Sequence, residues 1–133
     1  MVKRTIWAIV GGTALILAPS IRSLAAGQAP DEQTCRDEAA LADAPASVQG
    51  GCIAVHRRKG NCNACHLIAG ATSGNIAPPL AAMAQRFPDR ERLRAQIEDP
   101  RRANPATVMP PFGAHRILTP EEIDKVVDFL LTL

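Results

Sequence analysis

The chain has 133 residues, 47% of them apolar and 21% charged, with a formal net charge of +2. That length holds one folded domain and excludes two independent cores, while a mean hydropathy of -0.01 excludes a disordered polyelectrolyte. Aromatic residues are scarce, only Trp7, Phe87, Phe112 and Phe129 with no Tyr, so either the fold is marginal or something other than side chains fills its interior.

Lys3 and Arg4 precede an uncharged run from Ile6 to Ala18, and Ser23, Leu24, Ala25 and Ala26 follow as a small-residue cleavage site. The pattern predicts a secretory signal over residues 1–26, cut near Ala25 or Ala26. Its apolar run of about 13 residues falls short of the roughly 20 that span a bilayer, so no membrane attachment is expected after cleavage. An uncleaved N-terminal anchor is the alternative. Losing Lys3, Arg4 and Arg22 takes fifteen basic residues to twelve, against thirteen acidic ones. Between Arg57 and Arg102, nine basic residues face only four acids. This is either a solvated basic face or a docking surface for an acidic partner or anion. Nucleic acid is not an expected partner, since no aromatic residues interleave with these bases.

Residues 27–45 are acidic and Ala-rich, with a helix expected from Glu32 to Ala42 carrying Cys35. With few large apolar groups, they form an N-terminal extension lying on the domain. A second helix is expected over Ala46 to Arg58, with Val48, Cys52 and Val55 on its buried stripe. Gly50 and Gly51 weaken that helix unless another helix approaches closely there. Residues 67–88 read as loop with a helical turn at Ala81 to Gln85, and Asp89 opens a helix to Glu98 that buries Leu93 and Ile97 and is closed by Pro100. Pro105, Pro110 and Pro111 predict an extended segment. Thr119, Pro120 and Glu122 form the start of the clearest helix, followed by Ile123, Val126, Val127, Phe129, Leu130 and Leu131. No strand-like alternation is present. The fold class is all-α with long loops.

Cys62-Asn-Ala-Cys65-His66 spells C-x-x-C-H, the attachment signature of c-type haem. Two cysteines three apart on a tight turn can each form a thioether to a porphyrin vinyl group, and the next residue then offers its imidazole to the iron. His66 is the expected proximal ligand. A redox-active cysteine pair would need a βαβ context, and a zinc site a second ligand pair, which His56 and His115 do not supply. One covalent haem would also answer the aromatic deficit. Met109 is the favoured sixth ligand, because the prolines after it stiffen Val108-Met-Pro-Pro-Phe112 and hold a weak thioether at small entropic cost. His115, Met83, His56 and an open iron face are the alternatives. Cys35 and Cys52 are left as a disulfide pinning the extension to the second helix or as two free thiols.

Residues 60–133 resemble the SoxX family, the monohaem cytochrome c subunits of sulfur-oxidising SoxAX complexes. The resemblance rests on Gly60-Asn-Cys-Asn-Ala-Cys-His66, Gly74-Asn-Ile-Ala-Pro-Pro-Leu80, Asn104-Pro-Ala-Thr-Val-Met-Pro-Pro-Phe-Gly113, His115-Arg-Ile-Leu118 and Glu121-Glu-Ile-Asp-Lys-Val-Val-Asp-Phe-Leu130. It implies a class I cytochrome c fold wrapped around one covalent haem over residues 46–133, with Cys62, Cys65 and His66 holding the cofactor and Met109 as distal iron ligand. In the wider class a Gly-Pro-x-Leu segment supplies a proline carbonyl to the proximal histidine. Pro78 matches that proline, while Ala77 replaces the glycine.

The same resemblance implies a periplasmic heterodimer with a SoxA-like cytochrome subunit. That complex, an L-cysteine S-thiosulfotransferase, joins thiosulfate oxidatively to a carrier-protein cysteine. The sulfur chemistry belongs to the partner, and this subunit relays electrons to a soluble acceptor without catalytic residues of its own. The sequence offers no nucleophile and base at an open site, in agreement. A freely diffusing class I cytochrome c serving an oxidase is the alternative, and a haem sensor or peroxidase with an open iron face is a third reading.

Overall fold

In the computed structural model, which describes residues 27–133, the best-capped sequence becomes the central strut. Helix α6 (Pro120–Leu130) starts on Thr119, whose hydroxyl accepts from the Glu122 N–H at 3.2 Å while the Glu122 carboxylate accepts from the Thr119 N–H at 3.0 Å. Ile123, Val126, Val127, Phe129 and Leu130 are all buried, giving this helix an apolar face wide enough to organise the core. The expected secretory signal lies outside the described residues.

Six short α-helices and two 3₁₀ turns make up the described chain: α1 (Glu32–Arg36), α2 (Glu38–Ala42), α3 (Ala46–Val55), a 3₁₀ turn at Cys62–Ala64, α4 (Met83–Arg86), α5 (Arg90–Glu98), a 3₁₀ turn at Pro100–Arg102, and α6. The only β-type pairing among the described residues is an isolated bridge between His66 and Ala77. The all-α expectation holds.

Packing of α3 on α6 is the tightest helix contact. A Cβ added at Gly50 would sit 1.8 Å from the Lys125 carbonyl oxygen, so only glycine lets the two backbones approach this far. The expected stripe of Val48, Cys52 and Val55 holds only in part: Cys52 is buried, Val48 and Val55 are half-buried, and Gly50, Gly51 and Ala54 complete the buried line. Close approach selects the smallest side chains for the contact line, and periodicity of large apolar residues is blind to that. Helix α3 also ends at Val55 rather than Arg58, because His56 turns extended.

The expected helix over 32–42 is two helices. Asp37 leaves helical geometry and its carboxylate accepts from the Ala40 N–H at 3.0 Å, ending α1 and capping α2. Neither short helix buries a residue, yet the extension is not wholly superficial. Ala29 and Pro30 are buried, and the Ala29 N–H donates to the Ala69 carbonyl at 2.7 Å. Cys35 and Cys52 are joined as a disulfide with Cα atoms 5.3 Å apart, tying α1 to α3.

Helix α5 follows expectation, with Asp89 as N-cap and Leu93 and Ile97 buried. Pro100 opens a 3₁₀ turn directly after it. The segment beyond is not extended throughout: Asn104 accepts from the Ala106 N–H on its side chain and from the Thr107 N–H on its carbonyl, forming a turn before Met109. Met83 is 2% exposed and belongs to the core. The basic stretch is partly neutralised by acids distant in sequence, since Lys59 pairs with Glu122, Arg90 with Asp124 and Asp128, and Arg94 with Asp124.

Candidate haem site

The chain reverses out of α3 through Asn61, whose left-handed backbone (φ 47°) suits an Asn better than most residues. The 3₁₀ turn Cys62–Ala64 follows at once, and the Cys65 and His66 N–H groups both donate to the Cys62 carbonyl, at 3.2 and 2.9 Å. This winding sets the two thiols and the imidazole around one tight turn. Across from it, the Ile76 and Ala77 N–H groups donate to the Cys65 carbonyl at 3.0 Å, and the Leu80 N–H donates to the Leu67 carbonyl at 2.9 Å. Gly74 is needed for that closure, because a Cβ there would lie 2.3 Å from the Ala64 carbonyl oxygen.

The laced loop delivers the Pro78 carbonyl to His66. Its oxygen lies 2.7 Å from the imidazole Nδ1. A carbonyl can only accept, so Nδ1 carries the proton and Nε2 keeps the lone pair that a metal would use. Ala77 in place of glycine does not prevent this bond. Such a contact fixes the ring's orientation and raises its basicity.

Cys62 and Cys65 are free thiols, the first half-buried and the second exposed. Burial pushes the Cys62 thiol up to about 11; its backbone hydrogen bond lowers it and the neighbouring Cys65 raises it by less. A thiol held neutral in this way is the opposite of the low-pKa thiolate in redox-active cysteine pairs. Among the described residues no group of three or more His, Cys, Asp or Glu side chains could hold a metal ion.

Met109 is half-buried and packed against the core. It has no hydrogen bond to the Cys62–His66 turn. Its N–H donates to the Thr107 hydroxyl at 3.2 Å, and its sulfur accepts from Gln96 Nε2 at 3.9 Å. The other candidate ligands are engaged elsewhere: Met83 is in the core, the exposed His56 accepts from the Arg58 N–H on its Nδ1, and the exposed His115 lies 3.4 Å from Arg101. Sequence reasoning missed Gln96, which carries no motif.

Large apolar side chains flank these groups and face outward. Leu67, next to His66, is 52% exposed; Ile76, two residues before Pro78, 79%; Val108, next to Met109, 95%. Ile117 is the only other large hydrophobic residue exposed among the described residues. Exposed apolar groups beside chemistry-bearing residues call for a hydrophobic cover. Haem held by Cys62 and Cys65, with His66 as a ligand, would have the size and character to provide it. The residues present fit haem.

Turn, imidazole and flanking apolar residues together define a c-type cytochrome domain. The family model described as cytochrome c oxidase, cbb3-type, subunit III matches residues 54–130. The chain belongs to this cytochrome c family, whose cofactor is haem c. It is also similar to an uncharacterized lipoprotein of Aquifex aeolicus (strain VF5), 38% identical over 78 residues, which are 55% of this chain and 36% of that protein. The chain thus spans about a third of the length of that curated relative. Among the described residues no helix is long and apolar enough to cross a membrane.

Proposed function

We propose that the protein is an exported monohaem cytochrome of the periplasm. Cys62 and Cys65 would hold haem through thioethers, and His66 and Met109 would be the residues offered to its iron. The bound group supplies a one-electron ferric/ferrous couple. The protein's part is to orient His66 through Pro78, to present a thioether from a proline-stiffened segment and to exclude water. Sulfur ligation favours the ferrous state relative to two histidines. The observation that carries this reading is the exposure of Leu67, Ile76 and Val108 beside the turn, the Pro78 loop and Met109. Export is supported by the N-terminal signal pattern and by the similarity to a protein named as a lipoprotein.

The proposed role is electron relay: the chain accepts electrons from a SoxA-like cytochrome partner while thiosulfate is joined to a carrier-protein cysteine, and passes them to a soluble acceptor. The motifs around Met109 and His115, with the terminal helix, support it. A second reading, an electron carrier to a terminal oxidase, is favoured by the family's own description. Affinity capture from cells grown on thiosulfate separates the two, since the first requires a second cytochrome subunit to co-purify stoichiometrically and the second requires a monomer. For the ligand set, the ferric protein's weak red-end band, which arises from sulfur-to-iron charge transfer, should vanish in Met109→Ala. Its survival would remove Met109 from the iron.

A further inference from the structure

We propose that Gln96 is a positioning residue for the Met109 thioether, fixing the sulfur and weakening its electron donation through an N–H···S hydrogen bond. The inference rests on Met109 being the iron ligand. The amide Nε2 of Gln96 is 3.9 Å from Met109 Sδ, within hydrogen-bond range for the larger sulfur atom, and both side chains are half-buried. Thioether sulfur has no proton to give, so the amide must be the donor.

The placement is built into the fold. Helix α5 leaves its last carbonyls without intrahelical partners, and the chain after Met109 satisfies them. The Phe112 N–H donates to the Ile97 carbonyl at 3.2 Å, and the Gly113 and Ala114 N–H groups donate to the Glu98 carbonyl at 3.0 and 3.1 Å. The Met109 segment is thereby zipped to the end of α5. Gln96 stands next to Ile97, whose side chain is anchored in the core at 4% exposure. On the other side, Thr107 holds the Met109 N–H. The sulfur is therefore gripped from a rigid helix while its backbone is held by its own turn.

A thioether sulfur has two lone pairs. With one directed to iron, the other remains for the Gln96 N–H, and that bond withdraws electron density from the sulfur. A poorer donor stabilises the ferrous state relative to the ferric one, so Gln96 raises the reduction potential.

The test uses the full haem-loaded protein. Gln96→Leu removes the donor at similar bulk. Replacing a polar group by an apolar one would by itself favour the less charged ferrous iron and raise the potential, so the sign separates the two effects. The expected result is a shift to lower potential with the red-end band kept; loss of the band also supports the role, because the sulfur has then left the iron. An unchanged or raised potential with the band intact overturns the inference. In the unaltered ferrous protein, NMR should show a close contact between the Gln96 side-chain amide protons and the Met109 methyl group. Its absence overturns the proposal even if the Leu variant does not accumulate. A red-end band that survives Met109→Ala would instead overturn the ligand assignment on which this rests.

Discussion

His66 and Pro78 are joined across a gap of 12 residues: the imidazole Nδ1 is 2.7 Å from the proline carbonyl oxygen. The bond leaves a single tautomer, protonated at Nδ1, and directs Nε2 away from the loop. In the ferrous haem-loaded protein, nitrogen NMR should find His66 Nδ1 bearing a slowly exchanging proton. An unprotonated or rapidly exchanging Nδ1 would show that the Pro78 loop does not hold the ring.

Gly50 sets the distance between α3 and α6. With a Cβ forced to 1.8 Å from the Lys125 carbonyl oxygen, Gly50→Ala must push the two helices apart. The cost is expected at about 3 kcal/mol or more, the upper range for overpacked cores, read as a lowered denaturant midpoint. A variant as stable as the parent would mean that the contact is looser than described.

The Cys35–Cys52 bridge closes a loop of sequence separation 17 and ties the extension to α3. Replacing both cysteines by alanine should cost about 3 kcal/mol of stability in the chain-entropy account. The visible spectrum should not change, because the bridge joins α1 to α3 and neither cysteine belongs to the Cys62–His66 turn. A changed spectrum would mean that the extension helps to shape the haem site.

Acid should weaken the fold. The Arg101 guanidinium holds the Asp99 carboxyl below its ordinary value, and the Glu121 carboxyl is lowered by its own backbone N–H and by Thr119. Burial raises Glu122, but the hydrogen bonds from Lys59 and the Thr119 N–H outweigh it and leave that carboxyl low as well. Groups lowered in the folded state add stability above their unfolded values and lose it as pH falls through the folded ones. Denaturant midpoints should therefore fall between about pH 6 and about pH 3. Glu122→Gln should flatten that fall, and an equal fall would place the acid sensitivity elsewhere.

Local signals were legible, and among contacts between separated segments only those marked by a motif or a cysteine pair, His66 with Pro78 and Cys35 with Cys52, could be anticipated. Thr119, Pro120 and Glu122 specify the start of α6 within four residues, and the structure begins the helix there. The C-x-x-C-H spacing likewise needs no tertiary context. Gly50 is ambiguous in sequence, since only the arrival of α6 turns an apparent helix breaker into a packing requirement. The net positive stretch looked unbalanced because its partners Glu122, Asp124 and Asp128 lie on another helix. The Ala-rich run around Asp37 hid the break between α1 and α2. Gln96 resembles any polar helix residue until the Met109 segment folds back over the end of α5.

The central claim is a single iron porphyrin bonded to Cys62 and Cys65, and intact-mass measurement of the exported protein tests it most directly. Expressed with working cytochrome maturation machinery and purified, the protein should be red and heavier than its bare polypeptide by one haem, with the added mass confined to the peptide holding both cysteines. A colourless product at the bare polypeptide mass would contradict the account.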